Sequence, residues 1–196
     1  MTMNCILSGV GGQGTILASK LLSQAAMNKG LSVRTAETIG MAQRGGCVVS
    51  HVRFGEEIHS PMVPGHSADI IIGFEPAEAV RCLPYLKKDG VVVVSKKAVI
   101  PVTASLGKGS YEPSDMFDYL KKNVKTLVIV DGEKICAQCG SSKVLNVALL
   151  GAACASGALG LTLEEIKTAI SERVAPQFVE MNNKALAAGA AAAEKQ

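Results

Sequence analysis

Two short clusters near the N-terminus combine the residue types that hold an anionic ligand. The first is Gly9-Val10-Gly11-Gly12-Gln13-Gly14, followed by Thr15. Its spacing fits G-x-G-x-x-G. In that pattern one glycine makes a tight turn, one lets backbone approach a pyrophosphate, and one lets a helix pack closely on a strand. A helix starting at Thr15 presents free N–H groups and a partial positive charge to an anion. The pattern also asks for an acidic residue about 20 positions on, to hold a ribose. Glu37 stands 23 residues after Gly14. Gln13 adds a long amide able to contact a ligand or a partner chain. The second cluster runs from Glu37 to Gln43-Arg44-Gly45-Gly46. Arg44 there can grip a phosphate or carboxylate with two N–H arms. The competing roles are plainer: a tight turn for the glycine loop, and an ion pair with Glu37 or Glu75 for Arg44.

Other chemistry-bearing residues make weaker cases. His51 and His59 share a strand face only if the turn between them spans three residues, and no carboxylate recurs at a matching spacing. No metal site is expected. Of the six cysteines (5, 47, 82, 136, 139 and 154), only Cys136-Ala-Gln-Cys139 has redox or zinc spacing. It lacks a second ligand pair and the four-cysteine run of an iron–sulfur cluster, so it is read as structural, on one short helix. The remaining cysteines are expected as small buried hydrophobes. A nucleophile elbow and a Walker A lysine are both missing.

The elements that must position the two clusters follow from periodicity. Asn4 to Ser8 is a short apolar strand, Thr15 to Lys29 has apolar residues at helical spacing, and Gly30 stops that helix. Ser32 to Ala36 is a second strand, parallel to the first. Both clusters then lie at the carboxyl edge of one sheet. Residues 47–54 form a strand rich in β-branched residues; with a turn at 55–57 and a return at 58–60 it is expected to make a hairpin, ended by Pro61 and Pro64. Residues 68–73 and 91–94 are near-continuous apolar runs, the mark of strands buried on both faces. Residues 126–131 give the last strand. Helices are expected over 76–86, 132–139, 143–156, 162–174 and 176–188. The fold class is thus α/β: a single doubly wound Rossmann-like domain over 1–196, with a mostly parallel sheet, an inserted β-hairpin and a helical C-terminal part. Residues 186–196, rich in Ala, are expected to fray.

Composition narrows the function classes. The chain has 196 residues, 48% hydrophobic and 19% charged, with 20 glycines and no tryptophan. Such a chain is not disordered, and with 4% aromatics it is ill-equipped to stack on bases. Twenty basic and seventeen acidic residues give a net charge of +3. The lysine pairs at 87–88, 96–97 and 121–122 form no stripe, so no nucleic-acid partner is expected. The first residues lack a basic region followed by an apolar one, as a secretory signal requires. The uncharged stretch Val144–Leu163 is interrupted at Gly157, and reads as a buried helix rather than a membrane span. A cytoplasmic location with reduced thiols is expected.

Several motifs together carry a resemblance: GVGGQG at 9–14, ETIGMAQRGG at 37–46, HVRFGEE at 51–57, MVPGHSADIIIGFEPAEAVR at 62–81, and Asn146 within KVLNVALLGA. From about residue 3 to 185 the chain resembles the small, gamma-type subunit of 2-oxoacid:ferredoxin oxidoreductases. The segment Gly40-Met41-Ala42-Gln43-Arg44 favours the indolepyruvate branch over the pyruvate and 2-oxoglutarate branches. The resemblance implies oxidative decarboxylation of an arylpyruvate to an acyl-CoA, with ferredoxin reduced. That chemistry uses thiamine diphosphate with Mg²⁺, [4Fe-4S] clusters and CoA. Asp131-Gly132 is preceded by Val130, and Asn146 follows too soon for a thiamine diphosphate motif, so this chain alone is expected to bind no cofactor. The cofactors are expected on a larger alpha subunit, through which ferredoxin is reached. Gly9, Gly11, Gly12, Gln13, Gly14, Thr15, Glu37, Gln43, Arg44, Gly45 and Gly46 are the residues expected to hold CoA or to line the cleft with that partner. The alternatives are a gamma subunit acting on another 2-oxoacid, a non-catalytic assembly partner, and a free-standing NAD(P)-binding oxidoreductase.

Overall fold

The computed structural model describes residues 2–38, 46–100 and 111–194. Its six strands are β1 (Met3–Val10), β2 (Ser32–Glu37), β3 (Cys47–Gly55), β4 (Ala68–Gly73), β5 (Leu86–Ser95) and β6 (Thr126–Val130). They form one sheet in the order β2-β3-β1-β4-β5-β6. β1, β4, β5 and β6 run parallel; β3 runs antiparallel to both neighbours, β1 and β2. The described helices are α1 (Thr15–Asn28), α2 (Pro76–Cys82), α3 (Pro113–Asn123), α4 (Gly132–Cys139), α5 (Leu145–Ala155), α6 (Leu163–Arg173) and α7 (Pro176–Ala193).

The α/β class stands, with two changes in detail. The parallel strands β1 and β2, joined through α1, are not neighbours, because β3 lies between them. Side chains explain the order. β3 turns Val52 and Phe54 into the core on one face and Val49 against the core on the other, which suits an inner strand, whereas Arg34 and Thr35 of β2 are exposed and suit a sheet edge. Residues 58–60 do not return as a strand. A strand has two edges, and β1 and β2 already occupy those of β3, so the antiparallel hairpin is β2–β3 instead. Residues 58–63 are tied down by side chains: Arg53 donates to the carbonyls of Ser60 at 2.9 Å and Met62 at 3.3 Å, and Val63 N–H donates to His51 Nδ1 at 3.2 Å.

One sheet face (Leu7, Val52, Ile72, Val93) packs under α1 and the helices α4–α7. The other (Ile6, Ile71, Val92, Val94) packs under the thinner layer of α2 and α3. The alternation along β1 of Cys5 and Leu7 to one side with Ile6 to the other is the period-two signature of a strand buried on both faces. α5 is the central helix of the thick layer, with nine consecutive residues from Leu145 to Ala153 buried. That burial accounts for its uncharged sequence, and no described helix is long and apolar enough to cross a membrane. α7 extends to Ala193, so residues 187–193, expected to fray, are helical. The reason is close packing on α5: a Cβ at Gly189 would lie 1.8 Å from the Ala148 carbonyl oxygen, and one at Gly151 2.0 Å from that of Leu186. Small residues there serve helix contact rather than flexibility. α3 escaped the sequence reading although Pro113 opens it and Lys121 and Lys122 close it.

Candidate functional site

The carboxyl ends of β1, β4, β5 and β6 share one edge with the start of β3. Between β1 and β4 the chain changes direction: α1 leaves β1 for one face and α2 leaves β4 for the other. In open α/β sheets such a switch point is where ligands bind.

The glycine loop spans this point, and much of its polarity is used within the chain. Gly12 and Gly14 have φ of +99° and +83°, a region side-chain-bearing residues rarely enter. The Gly11 N–H donates to the Gly46 carbonyl at 2.9 Å, which joins the glycine loop to the end of the second cluster. Gln13 acts as a staple. Its Oε1 accepts the Val10 N–H at 2.8 Å, and its Nε2 donates to the Phe74 carbonyl at 3.1 Å, bridging β1 to the end of β4. The amide singled out for ligand contact therefore holds the crevice itself. Gly9 is packed against it: a Cβ there would lie 2.7 Å from Gln13 Oε1 and 2.8 Å from Phe74 Cβ. Asn146, at the start of α5, donates from Nδ2 to the Gly14 carbonyl at 3.3 Å and so props the loop from below. Thr15 is buried in the first turn of α1, and no side chain caps that helix. Its first-turn N–H groups are the polar feature left for an anion.

Glu37 is not beside this loop in the sheet. β3 separates β2 from β1, and Glu37 Oε1 accepts from Ser19 Oγ at 2.8 Å. Gln43, Arg44 and Gly45 lie outside the described residues. The flanking residues place both ends of their segment at the carboxyl edge: Thr38 N–H donates to the Val49 carbonyl at 2.9 Å, and Gly46 meets Gly11.

Sequence reasoning missed a second group on the α2 side. Glu75 caps α2, its Oε2 accepting the Glu78 N–H at 3.0 Å. Its Oε1 accepts from Tyr111 Oη and, at 3.4 Å, from the Val99 N–H. Burial and the Glu75 hydrogen bond push the Tyr111 hydroxyl well above its usual range. Cys47, expected to be buried, is exposed, and partial burial with a hydrogen bond to Glu78 pushes its thiol up to about 12. The sequence signal was the string Glu-Pro-Ala-Glu, a helix start with proline at N1.

The residues with cofactor-binding side chains are otherwise engaged. Asp131 caps α4, its Oδ1 accepting the Lys134 N–H at 3.1 Å, and Asn146 supports the glycine loop, so neither is arranged for a diphosphate and its Mg²⁺. Among the described residues, no three His, Cys, Asp or Glu side chains gather as a metal-binding group. His51 is buried edge-on against Tyr85, and that burial lowers its pKa, while His59 is exposed beside Glu57. Cys136 and Cys139 lie half-buried on α4; burial first, then the neighbouring Cys139, raises the Cys136 thiol, the opposite of an activated thiolate.

Comparison with known proteins places this geometry. The profile of the family described as pyruvate ferredoxin/flavodoxin oxidoreductase matches residues 4–192. A subunit named indolepyruvate oxidoreductase subunit IorB, from Thermococcus kodakarensis, is 38% identical over 98% of this chain and 96% of its own. The common gamma subunit of pyruvate/ketoisovalerate oxidoreductases from Pyrococcus abyssi is 27% identical over 90% of this chain and 89% of its own. Among solved structures, the gamma subunit of a keto/oxoacid ferredoxin oxidoreductase from Geobacter sulfurreducens shares the fold, with a TM-score of 0.73 and 24% identity, covering 100% of this chain and 98% of that one.

Proposed function

The chain belongs to the pyruvate ferredoxin/flavodoxin oxidoreductase family, and from that premise we propose that it is the small subunit of an enzyme that oxidises an arylpyruvate, with indolepyruvate the first candidate. The observation that carries the choice of substrate is the identity gap: 38% to the indolepyruvate subunit against 27% to the pyruvate/ketoisovalerate one, each nearly full length. Thiamine diphosphate and the iron–sulfur clusters belong on a larger alpha subunit, since Asp131 and Asn146 have other roles and no cysteine cluster exists among the described residues. Bound there, thiamine diphosphate would supply carbanion stabilisation and the clusters would supply one-electron acceptance.

This chain contributes its carboxyl edge to the partner cleft. Gly9, Gly11, Gly12, Gln13 and Gly14 shape the loop, and Thr15 opens the uncapped helix end. Gln43, Arg44, Gly45 and Gly46 follow on the adjoining segment. The uncapped N-terminus of α1 and the guanidinium of Arg44 suit a phosphate-bearing acyl acceptor, CoA, held between the two subunits. A free-standing NAD(P) enzyme is disfavoured because β3 separates Glu37 from the glycine loop.

The test is co-expression with the large subunit, then 2-oxoacid-dependent viologen reduction with indolepyruvate, pyruvate and 2-oxoglutarate. Indolepyruvate should give the highest kcat/KM; turnover of pyruvate alone refutes the assignment. In the same complex Arg44→Ala should raise the KM for CoA about tenfold, the loss of one charge-assisted contact. An unchanged KM with intact assembly removes CoA from this chain's role.

A further inference from the structure

A cavity of about 460 Å³ opens on the α2 side of the carboxyl edge, between the ends of β1 and β3, the first turn of α2 and the residues after β5. Its polar lining is acidic. Glu75, 2% exposed, has both oxygens satisfied by Glu78 N–H, Val99 N–H and Tyr111 Oη. Glu78, 5% exposed, is less well served: its Oε1 accepts from Arg81 at 2.8 Å, its buried Oε2 has no N–H or O–H donor among the described residues, and the carboxylate's remaining neighbour is the weakly donating Cys47 thiol. Taking a carboxylate oxygen out of water is unfavourable unless a donor replaces the water. Among the described residues the guanidinium at hand is that of Arg81, which is 62% exposed and serves the other oxygen. Cys47 lines the same cavity; burial and the Glu78 hydrogen bond keep its thiol protonated and neutral, so it balances no carboxylate charge. Among the described residues, two buried carboxylates face one solvated cation across this cavity.

The walls state the rest of the occupant's chemistry. Val10, Val99, Ile100 and Met116 are aliphatic, and Ile100 is 60% exposed. An aliphatic stem ending in a cationic head with several N–H donors fits both parts, which describes a lysine or arginine side chain. The cavity lies on the carboxyl edge, continuous with the face assigned above to the larger subunit, and the inference rests on that assignment. We propose that a Lys or Arg side chain of the larger subunit inserts here, its stem between Met116 and Val99 and its head on Glu78 Oε2.

The test uses the full chain and its large subunit, with the dissociation constant measured by titration. Glu78→Gln, which keeps the shape and removes the charge, should weaken assembly by at least about tenfold, as loss of a charge-assisted contact does. Ile100→Trp, filling the cavity from its exposed side, should do the same with a wild-type melting temperature. Met116→Lys should raise the melting temperature of the free chain by supplying the cation internally, and should weaken assembly. Butylguanidinium should shift the Met116 methyl resonance in the free wild-type chain, but not in Glu78→Gln or in the complex, where the partner fills the site. If Glu78→Gln and Ile100→Trp both fold and bind the large subunit within about twofold of wild type, the proposal is overturned. Should Glu78→Gln fail to fold, Ile100→Trp alone decides. Equal binding of butylguanidinium to free chain and complex assigns the cavity to a small amine and also overturns it. Failure of the wild-type chain to assemble at all refutes the subunit assignment itself, a distinct result.

Discussion

Gln13 shows how a residue's type can be legible while its role is not. A long amide among glycines has one acceptor and two donors, and the sequence places them at a candidate ligand loop. Which groups they meet depends on the chain just past β4, about sixty residues away, where the Phe74 carbonyl comes to lie beside β1. Spacing cannot report such a partner. Glu37 makes the same point: its position in sequence matches a ribose-binding acid, but Ser19 on α1 holds it and β3 stands between it and the loop. Glu75 was legible as an ion-pair candidate for Arg44 just before a proline-led helix, and not as a buried cap, because the contacts that bury it come from Val99 and Tyr111. The staple yields a direct expectation. Gln13→Ala leaves the Val10 N–H and the Phe74 carbonyl without their bonds near buried backbone. It should lower stability by about 2 kcal/mol, roughly 4–8 °C in Tm for a chain of this size. Thermal unfolding followed by circular dichroism measures this, and a change under about 1 °C would show that water replaces the amide.

At the scale of elements, local signals did well where the controlling residues are adjacent in sequence. Gly30 ends α1 in a left-handed conformation, and Thr162 with Glu165 forms a reciprocal capping box at the start of α6. The failures were elements decided by distant partners. Residues 58–60 have strand-like character, but no free edge of β3 remains for them. The last turns of α7 looked like a flexible tail because Ala and Gly dominate, yet that composition lets α5 and α7 approach until backbone meets backbone. The two readings of Gly189 predict opposite signs. In an ordinary helix Gly→Ala stabilises by about 1 kcal/mol, through helix propensity. Here the added Cβ would lie 1.8 Å from the Ala148 carbonyl oxygen and 2.7 Å from its carbon, and backbone cannot rotate aside. Gly189→Ala should therefore cost about 2–3 kcal/mol net, by forcing the helices apart. Urea unfolding of the free chain tests it; a stabilised variant would mean that α7 is not held against α5.

For the whole molecule, the strand order β2-β3-β1-β4-β5-β6 decides what the chain does alone and what it leaves to a partner. Inserting β3 beside β1 draws the second cluster's end, Gly46, against the glycine loop, and moves Glu37 away. The result is a polar, acid-lined edge with an uncapped helix end rather than an enclosed cofactor pocket. The thick helical layer behind the sheet is devoted to packing, with α5 buried along most of its length. Burial foremost raises the thiols of Cys5, Cys47, Cys82 and Cys154, so these four are protonated rather than activated thiolates. The family relation was legible in sequence because several motifs between 9 and 152 stand together in one chain, and no single one of them carries it. What sequence could not supply was the division of labour, which follows from where those motifs meet in space. A partition experiment tests that division. The complex with the large subunit should contain iron and thiamine diphosphate; after mild dissociation both should remain with the large subunit, and this chain should carry neither. Finding either on the isolated chain at near-stoichiometric levels would mean that residues 39–45 or 101–110 build a site, and would return the chemistry to this subunit.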